Sequence, residues 1–157
     1  MKQEEVRLVL RRLGADHEDM AQLGLGDRKI STNVYVTEEE KQELSDICFW
    51  YGVRYLEQDV TITKLLRLYI NLQKSETIKQ LIEKGLPKFP EGEDAILLRV
   101  NYSVSQHQIL RKLKITYRAD KISIGRITLA LVQKFIVEER RGNHALEDYF
   151  KQMAGES

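Results

Sequence analysis

Cysteine is almost absent from this chain. Its one example, Cys48, excludes an internal disulfide and any multi-cysteine zinc site. No apolar run approaches the roughly 20 residues that a membrane-spanning helix requires. The first residues, Met1-Lys2-Gln3-Glu4-Glu5-Val6, put charges where a secretory signal needs its apolar segment, so the expected location is the cytoplasm. An excess of one charge is missing too: 25 Lys and Arg stand against 24 Asp and Glu, for a formal net charge of +1. What is present is ordinary for a globular protein, 42% apolar and 31% charged residues over 157 positions. That length is enough to bury a core, and the composition is too apolar for wholesale disorder.

The near-neutral sum hides an uneven distribution. From Arg99 to Arg126 the charges are Arg99, Arg111, Lys112, Lys114, Arg118, Lys121 and Arg126 against one acid, Asp120. From Thr37 to Asp59 the chain instead carries Glu38, Glu39, Glu40, Glu43, Asp46, Glu57 and Asp59. A basic second half and an acidic to neutral first half suggest a polyanion as partner for the second.

Apolar periodicity divides the chain further. Val6, Val9, Leu10 and Leu13 have helical spacing and Gly14 ends the run; the polar and glycine-containing stretch after it reads as loop. Ile30, Thr32, Val34 and Val36 then alternate with Ser31, Asn33 and Tyr35, the pattern of a short half-buried strand. Thr37 and Glu40 have capping-box spacing before a helix whose stripe is Leu44, Ile47, Cys48 and Tyr51, with Gly52 as its expected stop. A second helix is expected from Thr61 through Leu65, Leu66, Leu68, Tyr69, Ile70 and Leu72, continuing or restarting as far as Lys84, with Gly85 and Pro87 as terminator. Pro87 to Asp94 reads as a linker.

The same grammar then recurs. Leu98, Val100 and Tyr102 alternate with Arg99, Asn101 and Ser103; Ser103 can cap a helix, with Gln106 in the reciprocal position. Leu110, Leu113 and Tyr117 repeat the spacing of Leu44, Ile47 and Tyr51, and Ile122 to Ile127 stands where Val60 to Leu65 stood. Leu129, Leu131, Val132, Phe135 and Ile136 carry the last long helix toward Gly142, and Leu146, Tyr149 and Phe150 mark a short terminal one. The implied organisation is an N-terminal helical extension at 1–28, a strand-helix-helix unit at 29–74, a helical and linker segment at 75–94, a second unit at 95–141 and a tail at 142–157. The fold class is mainly α with a short antiparallel two-stranded β-ribbon, because one short strand cannot satisfy its own backbone and needs the other.

If the strands pair in this way, Ser31, Asn33, Tyr35, Arg99, Asn101 and Ser103 face away from the helices. A two-stranded ribbon fits the major groove of B-form DNA, where Asn pairs with adenine and Arg with guanine. The arrangement resembles the ribbon-helix-helix superfamily of Arc, MetJ and CopG-type regulators and related antitoxins. Its two-unit layout is similar to that of TraY, in which one chain supplies both strands. The resemblance covers about 29–71 and 95–137. It implies base contacts from Ser31, Asn33, Tyr35, Arg99, Asn101 and either Leu97 or Ser103. It also implies phosphate contacts at the amino ends of the second helices, from Thr61, Thr63, Lys64, Ser123, Gly125 and Arg126, where free N–H groups attract anions. The expected partner is double-stranded DNA, with the protein near the nucleoid; a homodimer and a protein partner are further expectations. The alternative function is an antitoxin-like or other protein-interaction module that uses the same core for assembly. Departures from the pattern are the long connection expected from Gly52 to Val60 and the acidic first helix, which make the second unit the stronger candidate for DNA contact.

Other motifs carry less. Asp16-His17-Glu18-Asp19 has adjacent side chains that diverge, as in a solvated acidic turn rather than a metal site. His17, His107 and His144 are scattered without HExxH or CxxC companions. Gly24-Leu25-Gly26 lacks the lysine and helix of a phosphate loop. Asn101-Tyr102-Ser103 matches a glycosylation sequon without any sign of secretion. Phe49, Trp50 and Tyr51 read as core or interface packing. No nucleophile sits with a base, no cofactor is implied, and the expectation is a protein without enzymatic activity.

Overall fold

The computed structural model describes residues 30–55, 60–117 and 122–155. The expected N-terminal helix, the acidic patch at 16–19 and the Gly24-Leu25-Gly26 stretch lie outside these residues. The order of elements is β1 (Ile30–Val36), α1 (Glu38–Tyr55), α2 (Ile62–Asn71), α3 (Ser75–Lys84), β2 (Ile96–Tyr102), α4 (Val104–Tyr117), α5 (Ile124–Arg140) and α6 (Glu147–Gly155). Strand, helix, helix thus occurs twice, each time followed by one further short helix. Among the described residues no helix is long and apolar enough to cross a membrane.

The two strands form one antiparallel sheet. Ile30 faces Tyr102, Val36 faces Ile96, and Asn33 lies opposite Arg99 at the midpoint. This register is symmetric about its centre, so the two inner faces coincide: Val34, Val36, Val100 and Tyr102 are buried against the helices. The α5 helix packs on β1 and α2 packs on β2, each crossing to the strand of the other half. Residues Ile127 to Val132 of α5 are buried without a break, as expected of a helix enclosed on all sides. Tyr69 of α2 meets Phe135 of α5 with ring centroids 4.4 Å apart.

Helix ends follow the capping chemistry with two departures. At α1 the box closes: Thr37 N–H donates to Glu40 Oε1 (2.8 Å) and Glu40 N–H to Thr37 Oγ1 (3.1 Å). At α4, Gln106 N–H donates to Ser103 Oγ, but Gln106 does not return the bond. Asn71 does so instead, accepting from Ser103 N–H at 2.8 Å, while Gln106 Nε2 donates to the carbonyls of Ile70 and Gln73 at the end of α2. The reciprocal partner is therefore supplied by tertiary contact, and one buried amide serves two carbonyls where α2 ends. The second departure is Gly52, which does not stop α1. Beyond it, Tyr55 stacks on Tyr51 and on Phe150 of α6, and this packing outweighs the cost of a mid-helix glycine. The connection to α2 is consequently no longer than residues 56–61. Helix α1 is one turn longer than α4, and residues 56–59 of the expected long connection lie outside the described residues.

The α2 helix ends at Asn71 and α3 starts afresh at Ser75, so the pair does not form one helix. The α5 helix ends at Arg140, and past its cap Gly142 takes φ 82°, where Asn143 N–H bonds Glu138 O and Gly142 N–H bonds Glu139 O, the paired bonds of a Schellman stop. The tail then folds back. Leu146 and Phe150 are buried against α1, His144 stacks on Trp50, and Glu139 accepts a hydrogen bond from Tyr51 Oη (2.6 Å) while lying 2.5 Å from His144 Nδ1.

Candidate nucleic-acid interface

The inward alternation of both strands leaves one outer face, formed by Ser31, Asn33 and Tyr35 on β1 and by Leu97, Arg99 and Asn101 on β2. Register then groups them into three cross-strand pairs. At one end Ser31 Oγ donates to Asn101 Oδ1 at 2.9 Å. At the centre Asn33 and Arg99 are both exposed. At the other end Tyr35 and Leu97 are 43% and 51% exposed, an apolar pair at the tip of a polar strip.

Ser103 does not join this face. It lies one residue past β2, is 6% exposed, and spends its hydroxyl capping α4. Alternation alone would turn it outward, but the chain leaves the strand at Tyr102 to start the helix. Of the two candidates for the sixth outward position, Leu97 is the one that occupies it.

The amino ends of α2 and α5 flank the ribbon and share a local design. Thr61 Oγ1 accepts from Lys64 N–H, and Ser123 Oγ from Arg126 N–H, both at 3.1 Å. Each cap residue is extended (φ −100° and −116°), and neither helix carries an acid in its first turn. Their surroundings differ. Thr61 and Thr63 are exposed, whereas Ser123, Gly125 and Arg126 are half-buried.

The covering element is the segment between Gly85 and Ala95. Arg126 donates from Nε to Pro87 O (2.9 Å) and from a terminal guanidinium nitrogen to Leu86 O (2.8 Å), so its planar fork holds the linker. Phe89 lies against Gly125 so closely that a Cβ there would come within 2.9 Å of its ring, and within 3.4 Å of Asn33 O. The same ring meets Tyr35 edge-on at 6.1 Å. Glycine lets α5, the linker and β1 converge on one point, with the tip of the Phe89 ring nearest to where a Cβ would stand. The expectation that Gly125 and Arg126 lie open to an anion is therefore corrected: the linker occupies that side, and α2 presents the more accessible helix end.

Sequence reasoning missed Phe89. Its one signal was a large aromatic in a stretch otherwise made of charged residues, proline and glycine, where no local periodicity required it. Comparison with protein-family models, with curated proteins and with solved structures found no match to this chain.

Proposed function

We propose that this chain is a tandem ribbon-helix-helix protein that binds double-stranded DNA sequence-specifically, laying β1 and β2 in the major groove. Its role on this reading is that of a transcriptional regulator or a plasmid or phage accessory factor, without catalysis of its own. The observation that carries the reading is the outward pairing of Asn33 with Arg99 at the ribbon's midpoint, flanked by Ser31 and Asn101. These are the residue types that read adenine and guanine edges, and a two-stranded ribbon is narrow enough to enter the groove. Tyr35 and Leu97 add an apolar end suited to thymine methyl groups.

Phosphate contact comes chiefly from the amino end of α2, through Thr61, Thr63 and Lys64, where the helix dipole favours an anion. The symmetric register gives the ribbon two flanks, and the linker leaves the α2 flank the more open.

The test is selection of bound duplexes from a random pool, followed by footprinting and by gel shifts at two salt concentrations. The expected result is an enriched motif, protection in the major groove and affinity that falls steeply with salt. A pool that never converges, with no shift at low salt, would discard the reading in favour of a protein-interaction module.

A further inference from the structure

Two helix faces on this molecule are built to the same spacing and carry opposite charge. On α1 the outward positions Gln42, Asp46, Phe49 and Val53 follow one another at steps of a helical turn, and Phe49 is 73% exposed. On α4 the steps recur as Gln108, Lys112 and Ile115, with Ile115 71% exposed. An exposed Phe, Val or Ile alone means little, but each of these stands in a row on a helix whose charge is predominantly of one sign. Around the α1 row lie exposed Glu38 and Glu39 together with Asp46, against the exposed bases Lys41 and Arg54, and with Glu40 and Glu43 the helix as a whole is acidic. Around the α4 row lie exposed Arg111, Lys112 and Lys114, and the helix holds no acid at all. None of these three bases forms an ion pair with a described residue.

We propose that α1 of one copy docks on α4 of a second copy, so that the chain associates head to tail. Charge selects this pairing over the alternatives: α1 against α1 sets acid on acid, and α4 against α4 sets base on base. Phe49 and Ile115 supply the apolar centre of the contact and the flanking charges its rim. Because the two surfaces are different, each added copy leaves one face of each kind exposed, and growth is open-ended rather than closed at a dimer. Two single helix faces make a small interface, so the association is weak, reversible and salt-sensitive. It does not depend on the DNA reading and is measured without DNA.

Sedimentation velocity over a range of protein concentrations at low and high salt tests it. At low salt the average mass of the unmodified chain is expected to climb with concentration past that of a dimer, and to fall back to monomer at high salt. Asp46→Lys and Lys112→Asp should each weaken association by about tenfold or more, since each sets like charges face to face. A chain carrying both reversals, or an equimolar mixture of the two single variants, should regain it. Phe49→Ser and Ile115→Ser should each abolish it, with circular dichroism and the melting curve unchanged because both side chains are on the surface. A chain that stays monomeric at low salt overturns the proposal. So does association indifferent to both charge reversals, or a closed dimer sensitive to Phe49→Ser but not to Ile115→Ser.

Discussion

Asn33 on β1 stands directly opposite Arg99 on β2, both exposed, at the one position about which the ribbon's register is symmetric. Their side chains therefore emerge together at the middle of whatever surface the ribbon meets. Replacing Arg99 with Ala is expected to cost about 1–3 kcal/mol of discrimination at one base pair while leaving non-specific affinity nearly unchanged. Fluorescence anisotropy with a selected duplex and a scrambled one, at matched salt, reads both quantities.

Lys64 behaves differently on the same proposal. It sits in the first turn of α2, beside the exposed Thr61 and Thr63. Lys64→Ala should weaken all sequences alike and reduce the slope of log K against log salt by about 0.9, the loss of one phosphate contact. A selective loss on one sequence would move Lys64 from the phosphate side to the reading head.

Gly125 gives a prediction about the fold that is independent of DNA. A methyl group there meets the Phe89 ring at 2.9 Å and Asn33 O at 3.4 Å. Gly125→Ala is expected to destabilise the protein by about 1–3 kcal/mol through overpacking. Shortening the ring by Phe89→Ala in the same chain should make the glycine change nearly neutral, because the tightest clash is then gone. Urea denaturation of the parent, the two single variants and the double variant gives the coupling directly.

Tyr51 anchors the tail. Its hydroxyl donates to Glu139 and accepts from Leu146 N–H (3.2 Å), in a fully buried position. Tyr51→Phe leaves both groups short of a partner at little change in volume, and should cost about 1–3 kcal/mol. Proteolysis is expected to cut between α5 and α6 sooner in the variant than in the parent.

Alkaline pH should act on three tyrosines at once. Burial first, then Glu139, raises the Tyr51 phenol well above its ordinary value. Burial and the Glu138 charge do the same to Tyr69, and burial raises Tyr102 against the opposing hydrogen bond from Thr128. A raised folded value means the native state holds its proton where the unfolded chain has released it. Stability is thus fully present below about pH 10, the ordinary tyrosine value, and falls as pH climbs above it. Denaturation midpoints that stay flat to beyond pH 11 would contradict this. Cys48, lifted by burial to about 11, should likewise remain unreactive toward thiol reagents at pH 8 until the protein unfolds.

Much of this architecture could be read before any coordinates. Alternation at Ile30 to Val36 and at Leu98 to Tyr102 gave both strands and assigned the inner face correctly, because a half-buried strand has only one way to satisfy period two. The caps at Thr37, Thr61, Ser103 and Ser123 located the helix starts, since those side chains serve their own backbone. Where reading failed, the cause was a partner distant in sequence. Gly52 looked like a stop until Tyr55 found Phe150, and Gln106 looked like half of a box until Asn71 took its place. Arg126 looked free for an anion because nothing local reveals that Leu86 and Pro87 turn their carbonyls toward it.

Both strands of the ribbon come from one polypeptide. A ribbon assembled from two separate chains falls apart when protein is scarce, since its folding is tied to subunit concentration. Here the sheet persists at a single molecule per cell, and its two edges are free to diverge. Arg99 stands across from Asn33 at the centre of the register, a pairing of unlike residues that no two-fold assembly of identical strands could place on its own axis.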